Sequence, residues 1–221
     1  MSDFITFDTN EIVFGKPSNP VHTFKCSGFG LGELIKESPV NWSGSIRTPL
    51  VNQEVYPKTE KGHIPLRVGV GGTPESVIRA ANVGAQLALA IIGGNPARFA
   101  PFAGLYRETL TELGKDQLPI SIHSPGHVAE TDEKAKEDYF PHYAAMHARI
   151  GAERGWGQLS KEQYMHEVQF GSLYVGSPET VGNKIAYALE SVGANRFDLK
   201  YASGTTPHSK LMKSVELYGT Q

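Results

Sequence analysis

The sequence predicts a parallel α/β fold with a binding site shared among the carboxyl ends of its strands. Two observations carry that prediction. Four apolar runs, at residues 66–75, 87–95, 120–127 and 197–206, each pass directly into small or polar residues. A helical recurrence of apolar residues follows every one of them.

Each unit can be justified in order. Residues 1–32 form a divergent amino-terminal segment, in which Phe4-Ile5 and Ile12-Val13-Phe14 are broken by Gly15, Pro17, Pro20, Gly28, Gly30 and Gly32. No clear helix or βα unit is expected there. Residues 33–65, with Gly44, Pro49 and Pro57, suit an extended, turn-rich connection. The first clear strand spans residues 66–70. Thr73 is a good N-cap, Pro74 falls where its missing N–H costs nothing, and Gly84 ends the helix. After the strand at 87–92, Phe99, Phe102, Ala103, Tyr106, Leu110 and Leu113 make an amphipathic helix closed by Gly114. In the third unit Ile120 and Ile122 alternate with Ser121 and His123, and a helix runs from near Asp132 to about Ile150. Residues 151–172 exceed a simple connection, so they are a candidate lid or a passive insertion. Ser177-Pro-Glu-Thr180 repeats the capping start at 73, and Val181, Ile185, Leu189 and Val192 form the stripe of another helix before Gly193. The last unit is a strand at 196–202 and a helix carrying Leu211, Val215 and Tyr218.

Composition narrows the function classes. A chain of 221 residues with 39% hydrophobic residues, 20% charged residues and a formal net charge of -2 is an ordinary soluble globular protein of one or two domains. No Lys/Arg-rich run suggests nucleic acid or an anionic membrane as partner, so a small ligand fits better. The single cysteine, Cys26, cannot close an internal disulfide and reads as an incidental thiol. The start at Met1 has neither a basic region nor a long apolar stretch, which points to the cytoplasm.

The chemistry is expected at the loops. Gly69, Val70, Gly71, Gly72 and Thr73 form a strand-to-helix turn whose backbone N–H groups can hold a phosphate, or whose glycines simply allow a tight turn. The pattern is neither the Rossmann fingerprint nor a Walker A loop. Gly93 and Gly94 add backbone donors or relieve crowding, and Arg98 pairs with phosphate or, more simply, with a surface carboxylate. His123 is a pocket wall or a hydrogen-bonded core histidine, and His208 a ligand contact or an exposed first-turn residue. His123 and His127 do not read as a metal pair, because Pro125 and Gly126 break any helix that would align them. No nucleophile elbow or spaced acid pair supports hydrolysis, and no catalytic residue stands out.

Residues 40–44 (VNWSG), 49–53 (PLVNQ), 55–57 (VYP), 68–76 (VGVGGTPES), 90–94 (AIIGG), 123–126 (HSPG), 175–180 (VGSPET) and 204–208 (GTTPH), taken together and in order, resemble the bacterial luciferase-like family of flavin-dependent monooxygenases and oxidoreductases. The resemblance spans about residues 33–221. It implies a partial TIM (βα)8 barrel of about four βα units matching strands five to eight, and FMN, or reduced FMN as co-substrate, acting with oxygen on a small organic substrate. It assigns Gly69 to Thr73 to the phosphate, Gly93 and Gly94 to the cofactor site, and His123, Ser203 and His208 to the substrate pocket. It also equates 151–172 with the family's mobile loop. A full barrel typically takes about 250 residues or more, so a half-barrel domain at 33–221 is expected to leave two edges and an apolar inner face. A homo-oligomer or a complementing subunit would cover them. The alternatives are a non-catalytic flavin- or phosphate-binding half-barrel, or a truncated remnant needing a partner.

Overall fold

The computed structural model describes residues 5–8, 38–43, 48–56, 58–60 and 65–220. Cys26 and the glycines at 28–32 lie outside these residues. One parallel sheet contains β1 (Ile5–Asp8), β4 (Leu66–Val70), β5 (Gln86–Ala90), β6 (Ile120–Val128), β7 (Tyr174–Gly176) and β8 (Arg196–Lys200). Its order is β1-β4-β5-β6, with both β7 and β8 paired to β6. The turn-rich region at 33–65 instead supplies an antiparallel pair, β2 (Val40–Trp42) and β3 (Leu50–Gln53). β1, in the segment where no clear helix or βα unit is expected, is a strand that pairs in parallel with β4. Four residues are too few for an alternation to show in the sequence.

The helices are α1 (Pro74–Asn82), α2 (Ala100–Glu112) after a 3₁₀ turn at Pro96–Phe99, α3 (Asp132–Arg154), α4 (Lys161–Phe170), α5 (Pro178–Val192) and α6 (His208–Thr220). The predicted breakpoints hold where left-handed glycines close helices, as at Gly84, Gly114 and Gly193, with φ of 70°, 63° and 70°. α3 outruns its expected end near Ile150 and stops only at Gly155, φ 73°. None of the described helices is long and apolar enough to cross a membrane.

Strand alternation divides the sheet chemically. Val70, Leu87, Leu89, Ile120 and Ile122 are fully buried against Val77, Tyr106, Leu110, Val181 and Ala188 of the helices. Residues on the opposite face fall into register as Arg67 with Gln86, Ala90 with His123, Ser121 with Arg196, and His123 with Asp198. This inner face is therefore largely polar, which corrects the expectation of an apolar one. Arg67 donates to Gln86 at 3.0 Å and pairs with Asp198 at 3.2 Å, and Arg196 reaches Asp198 at 2.6 Å. In a flat sheet β4 and β8 would stand about 14 Å apart, so the Arg67–Asp198 pair records a strongly concave sheet, part of a barrel wall and not a closed barrel. Burial, then repulsion from Arg196, lowers the pKa of Arg67 from its ordinary value, and Asp198 opposes both.

β6 changes partners along its length. Residues 120–125 lie beside β5 and β8, whereas Gly126, His127 and Val128 pair with β7. The second core belongs to this upper half, where Tyr139, Tyr143, Tyr164, Val168, Leu173 and Val175 pack together. The insertion at 151–172 is thus mostly helical and carries its own apolar contacts.

Candidate active site

Parallel strands end on one side, so the turns after β4, β5 and β8 share one rim of the sheet with the upper half of β6. A cleft of about 880 Å³ lies there. Ile92 and Gly93 after β5, Pro125 in β6 and Lys200 at the end of β8 form its base, while α3, α4 and their linker form its wall. The sequence builds that wall by local rules. Thr131 caps α3 by accepting the Lys134 N–H, and Gly155 lets the chain reverse so that the Trp156 N–H returns to the Gly151 carbonyl at 3.0 Å. A β-carbon on Gly151 would lie 3.2 Å from Trp156 Cβ, so glycine keeps that approach free of a tight contact. α4 then opens on a capping box, Ser160 with Gln163.

Two charged groups fix α4 at its far end. The Glu167 carboxylate accepts the N–H of Gly94 at 3.1 and 3.2 Å and the N–H of Ser172 at 3.0 Å. Lys184 donates to the carbonyls of Val168, Leu173 and Glu167 at 2.6, 2.8 and 3.2 Å, tying the last turn of α4 to the segment that leads into β7. Burial pulls the Lys184 ammonium down to about 8, against the attraction of Glu167. An unfolded lysine holds its proton to about 10.5, so between these values the unfolded chain binds more protons and stability rises with pH. Chemical denaturation from pH 7.5 to 9.5 should show that rise, and Lys184→Met should abolish it. An equal rise in the variant would contradict the assignment.

The predicted site residues divide between places. Gly93 lines the cleft, and Gly94, with φ of 75°, gives its N–H to Glu167. Arg98 stands beside it, its guanidinium 3.1 Å from where a Gly94 β-carbon would be. Gly69 and Val70 end β4, Gly71 and Thr73 are exposed, and Gly72 takes a φ of 113° that a side chain would rarely adopt. A β-carbon on Gly71 would meet nothing within 4 Å, so packing within the described chain does not require glycine there. The Thr73 hydroxyl bonds Ser76 Oγ at 2.8 Å and does not cap α1. His123 is half-buried, Ser203 is buried with its Oγ 2.6 Å from the Tyr139 hydroxyl, and His208 is exposed at the start of α6. None of these three lines the cleft. Sequence reasoning missed Tyr143, His147, Trp156, Glu167 and Lys200, although the spacing of Tyr139, Tyr143 and His147 by four residues marks one helix face.

Comparison with known proteins agrees with this architecture. Monooxygenase RslO1 from Streptomyces bottropensis superposes with a TM-score of 0.73 at 20% identity, over 92% of this chain and 60% of that one. The oxygenating constituent of 3,6-diketocamphane monooxygenase from Pseudomonas putida, solved with FMN, gives 0.63 at 16% identity over 92% and 62%. The coenzyme F420-dependent tetrahydromethanopterin reductase of Methanopyrus kandleri gives 0.58 at 16% identity over 92% and 62%. The chain thus spans about three fifths of the length of these structures. No curated protein sequence matches it significantly. Residues 31–196, most of the chain, match the family described as luciferase-like monooxygenase, and the chain belongs to that family.

Proposed function

We propose that the chain is a flavin-dependent oxidoreductase of luciferase-like type that holds FMN and oxidises a small organic substrate with molecular oxygen. Family membership and neighbours named for FMN or F420 support a cofactor of flavin type. The observation that carries the reading is the turn after β4. Gly71 leaves open space, Gly72 holds a backbone only glycine adopts readily, and Thr73 starts α1 without spending its hydroxyl on a cap. A phosphate fits such a helix amino terminus. Gly71 to Thr73 would seat it, the base of the cleft at Ile92, Gly93 and Pro125 would meet the ring system, and α4 would keep water away. When bound, the flavin supplies the redox chemistry. We assign the activity to a cytoplasmic homo-oligomer or to an assembly with a complementing subunit.

Titrating the purified chain with oxidised and reduced FMN, while light scattering reports mass, tests this. Saturable binding is expected, and Gly71→Asp should weaken it at least about tenfold by placing a like charge beside the phosphate. Its melting temperature should stay unchanged, since the side chain enters open space. A folded chain that binds no flavin, or binds equally well as Gly71→Asp, would sink the assignment. Tighter binding of F420 would replace FMN with the deazaflavin.

A further inference from the structure

The tyrosines packed along α3 differ in what their hydroxyls do. Tyr139 pairs its hydroxyl with Ser203 Oγ at 2.6 Å, and Tyr164 donates to the Lys136 carbonyl at 3.3 Å. Tyr143 packs on both, with ring centroids 5.4 Å from Tyr139 and 6.2 Å from Tyr164, and is only 8% exposed. Its hydroxyl has no hydrogen-bond partner among the described residues, yet it is not sealed in protein, and Tyr143 lines the cleft. A buried donor left unpaired is costly, so one that the cleft reaches marks where a bound molecule completes the bond. His147, one turn along, offers no such group, because its Nδ1 atom is enclosed.

The surroundings limit what that molecule can be. Met146, Ile150, Trp156 and Leu159 give the wall an apolar surface. Glu167 and Gln163 also line the cleft but are committed, the first to Gly94 and Ser172 and the second to the capping box with Ser160. Burial, then the nearby Glu167 carboxylate, pushes the Tyr143 pKa up to about 12, so the hydroxyl keeps its proton through the neutral range. The same carboxylate would repel an anion placed on that hydroxyl. We propose that Tyr143 is a substrate-positioning residue whose hydroxyl donates to the carbonyl of an uncharged, otherwise apolar substrate. A carbonyl accepts without bringing a donor that the apolar wall would leave unpaired. The cleft volume is within the usual range for small-molecule sites. The inference rests on the oxidoreductase reading only in naming the ligand a substrate.

Equilibrium dialysis of the full chain against 2-decalone, its isostere 2-methylidenedecalin and decalin-2-carboxylate separates the contributions. The ketone should bind saturably, and at least about tenfold tighter than the carboxylate. Infrared difference spectroscopy should show its carbonyl stretch at lower frequency when bound than in hexane, as an accepted hydrogen bond requires. Tyr143→Phe keeps the ring and should weaken the ketone about tenfold by leaving its oxygen unpaired, while the isostere stays within about twofold. FMN affinity should not change in that variant. No infrared shift, equal binding of the carboxylate, an equal change for ketone and isostere in Tyr143→Phe, or no saturable binding by folded protein would overturn the proposal. A loss confined to FMN would also overturn it, giving the hydroxyl to the flavin carbonyls. The infrared and carboxylate comparisons use the parent chain and do not depend on the variant folding. FMN titration of the same preparation separates the two readings: ketone binding without flavin binding removes the oxidoreductase assignment and keeps the site.

Discussion

Gly126→Ala is expected to lower stability by at least about 3 kcal/mol. At Gly126, β6 leaves its pairing with β8 and takes up β7, and Gly126 itself registers with Tyr174. A methyl carbon there would overlap the Tyr174 carbonyl oxygen and lie 2.6 Å from Leu199 Cδ1. The first obstacle is backbone inside a parallel ladder and cannot swing aside. The second belongs to a residue packed on the main core. Relief would require β7 to separate from β6, which would expose Leu173 and Val175 and part the two cores. For a chain of this size the loss corresponds to a fall in melting temperature of about 6–12 °C. Gly71→Ala, whose methyl meets open space, is the matched control and should stay within about 0.5 kcal/mol of the parent. A Gly126→Ala protein that melts within 2 °C of the parent, taking about 2 °C as the uncertainty of the comparison, would show that the strand switch tolerates a side chain.

The second large effect is expected from Glu167→Ala. That carboxylate ties α4 to the Gly93-Gly94 turn and to Ser172, so its loss leaves two N–H groups without their acceptor. Removing a charged acceptor from partly buried donors costs about 2 kcal/mol, or about thirtyfold in the local opening equilibrium. Hydrogen exchange should accelerate by that factor at Gly94, Ser172 and along α4, while amides of β5 and α2 keep their protection. Glu167→Gln, which retains one acceptor oxygen, should fall between. Uniform acceleration across the chain would mean that Glu167 supports the whole fold and not the position of α4. Because Gly94 gives its N–H to this carboxylate, the same variant makes that donor available at the base of the cleft.

The fold was legible wherever local chemistry and tertiary packing agree. Pro74 and Gly84 bound α1, Ser177 and Gly193 bound α5, and the alternation of Ile120 with Ile122 marks β6, because each residue satisfies a backbone requirement on its own. The cleft was legible only in part. The strand-end glycines stand out because few residue types permit their conformations, and Gly93 does line it. Its wall depends on contacts between segments far apart in sequence: Glu167 meets Gly94 across 73 residues, and Tyr139 meets Ser203 across 64. No periodicity encodes such distances. The polar inner face was hidden for a related reason. Arg67, Gln86 and Asp198 look like ordinary polar strand residues until the curl of the sheet brings them together.

The partner switch in β6 also has a consequence for synthesis. β6 is made early, but the Asn195 side chain that reaches the Ile120 N–H lies 75 residues later, and the strand that pairs with its lower half follows directly. Until that segment leaves the ribosome, one side of an apolar strand has unpaired backbone groups and a templating edge. Such long loop closure is slow and invites off-pathway pairing. The α3–α4 insertion fills this interval with helices of largely local contacts, and β7 arrives before β8 to take the upper three residues. The nascent chain is thus protected stepwise, and expression yield should respond to temperature more steeply than the stability of the finished protein does.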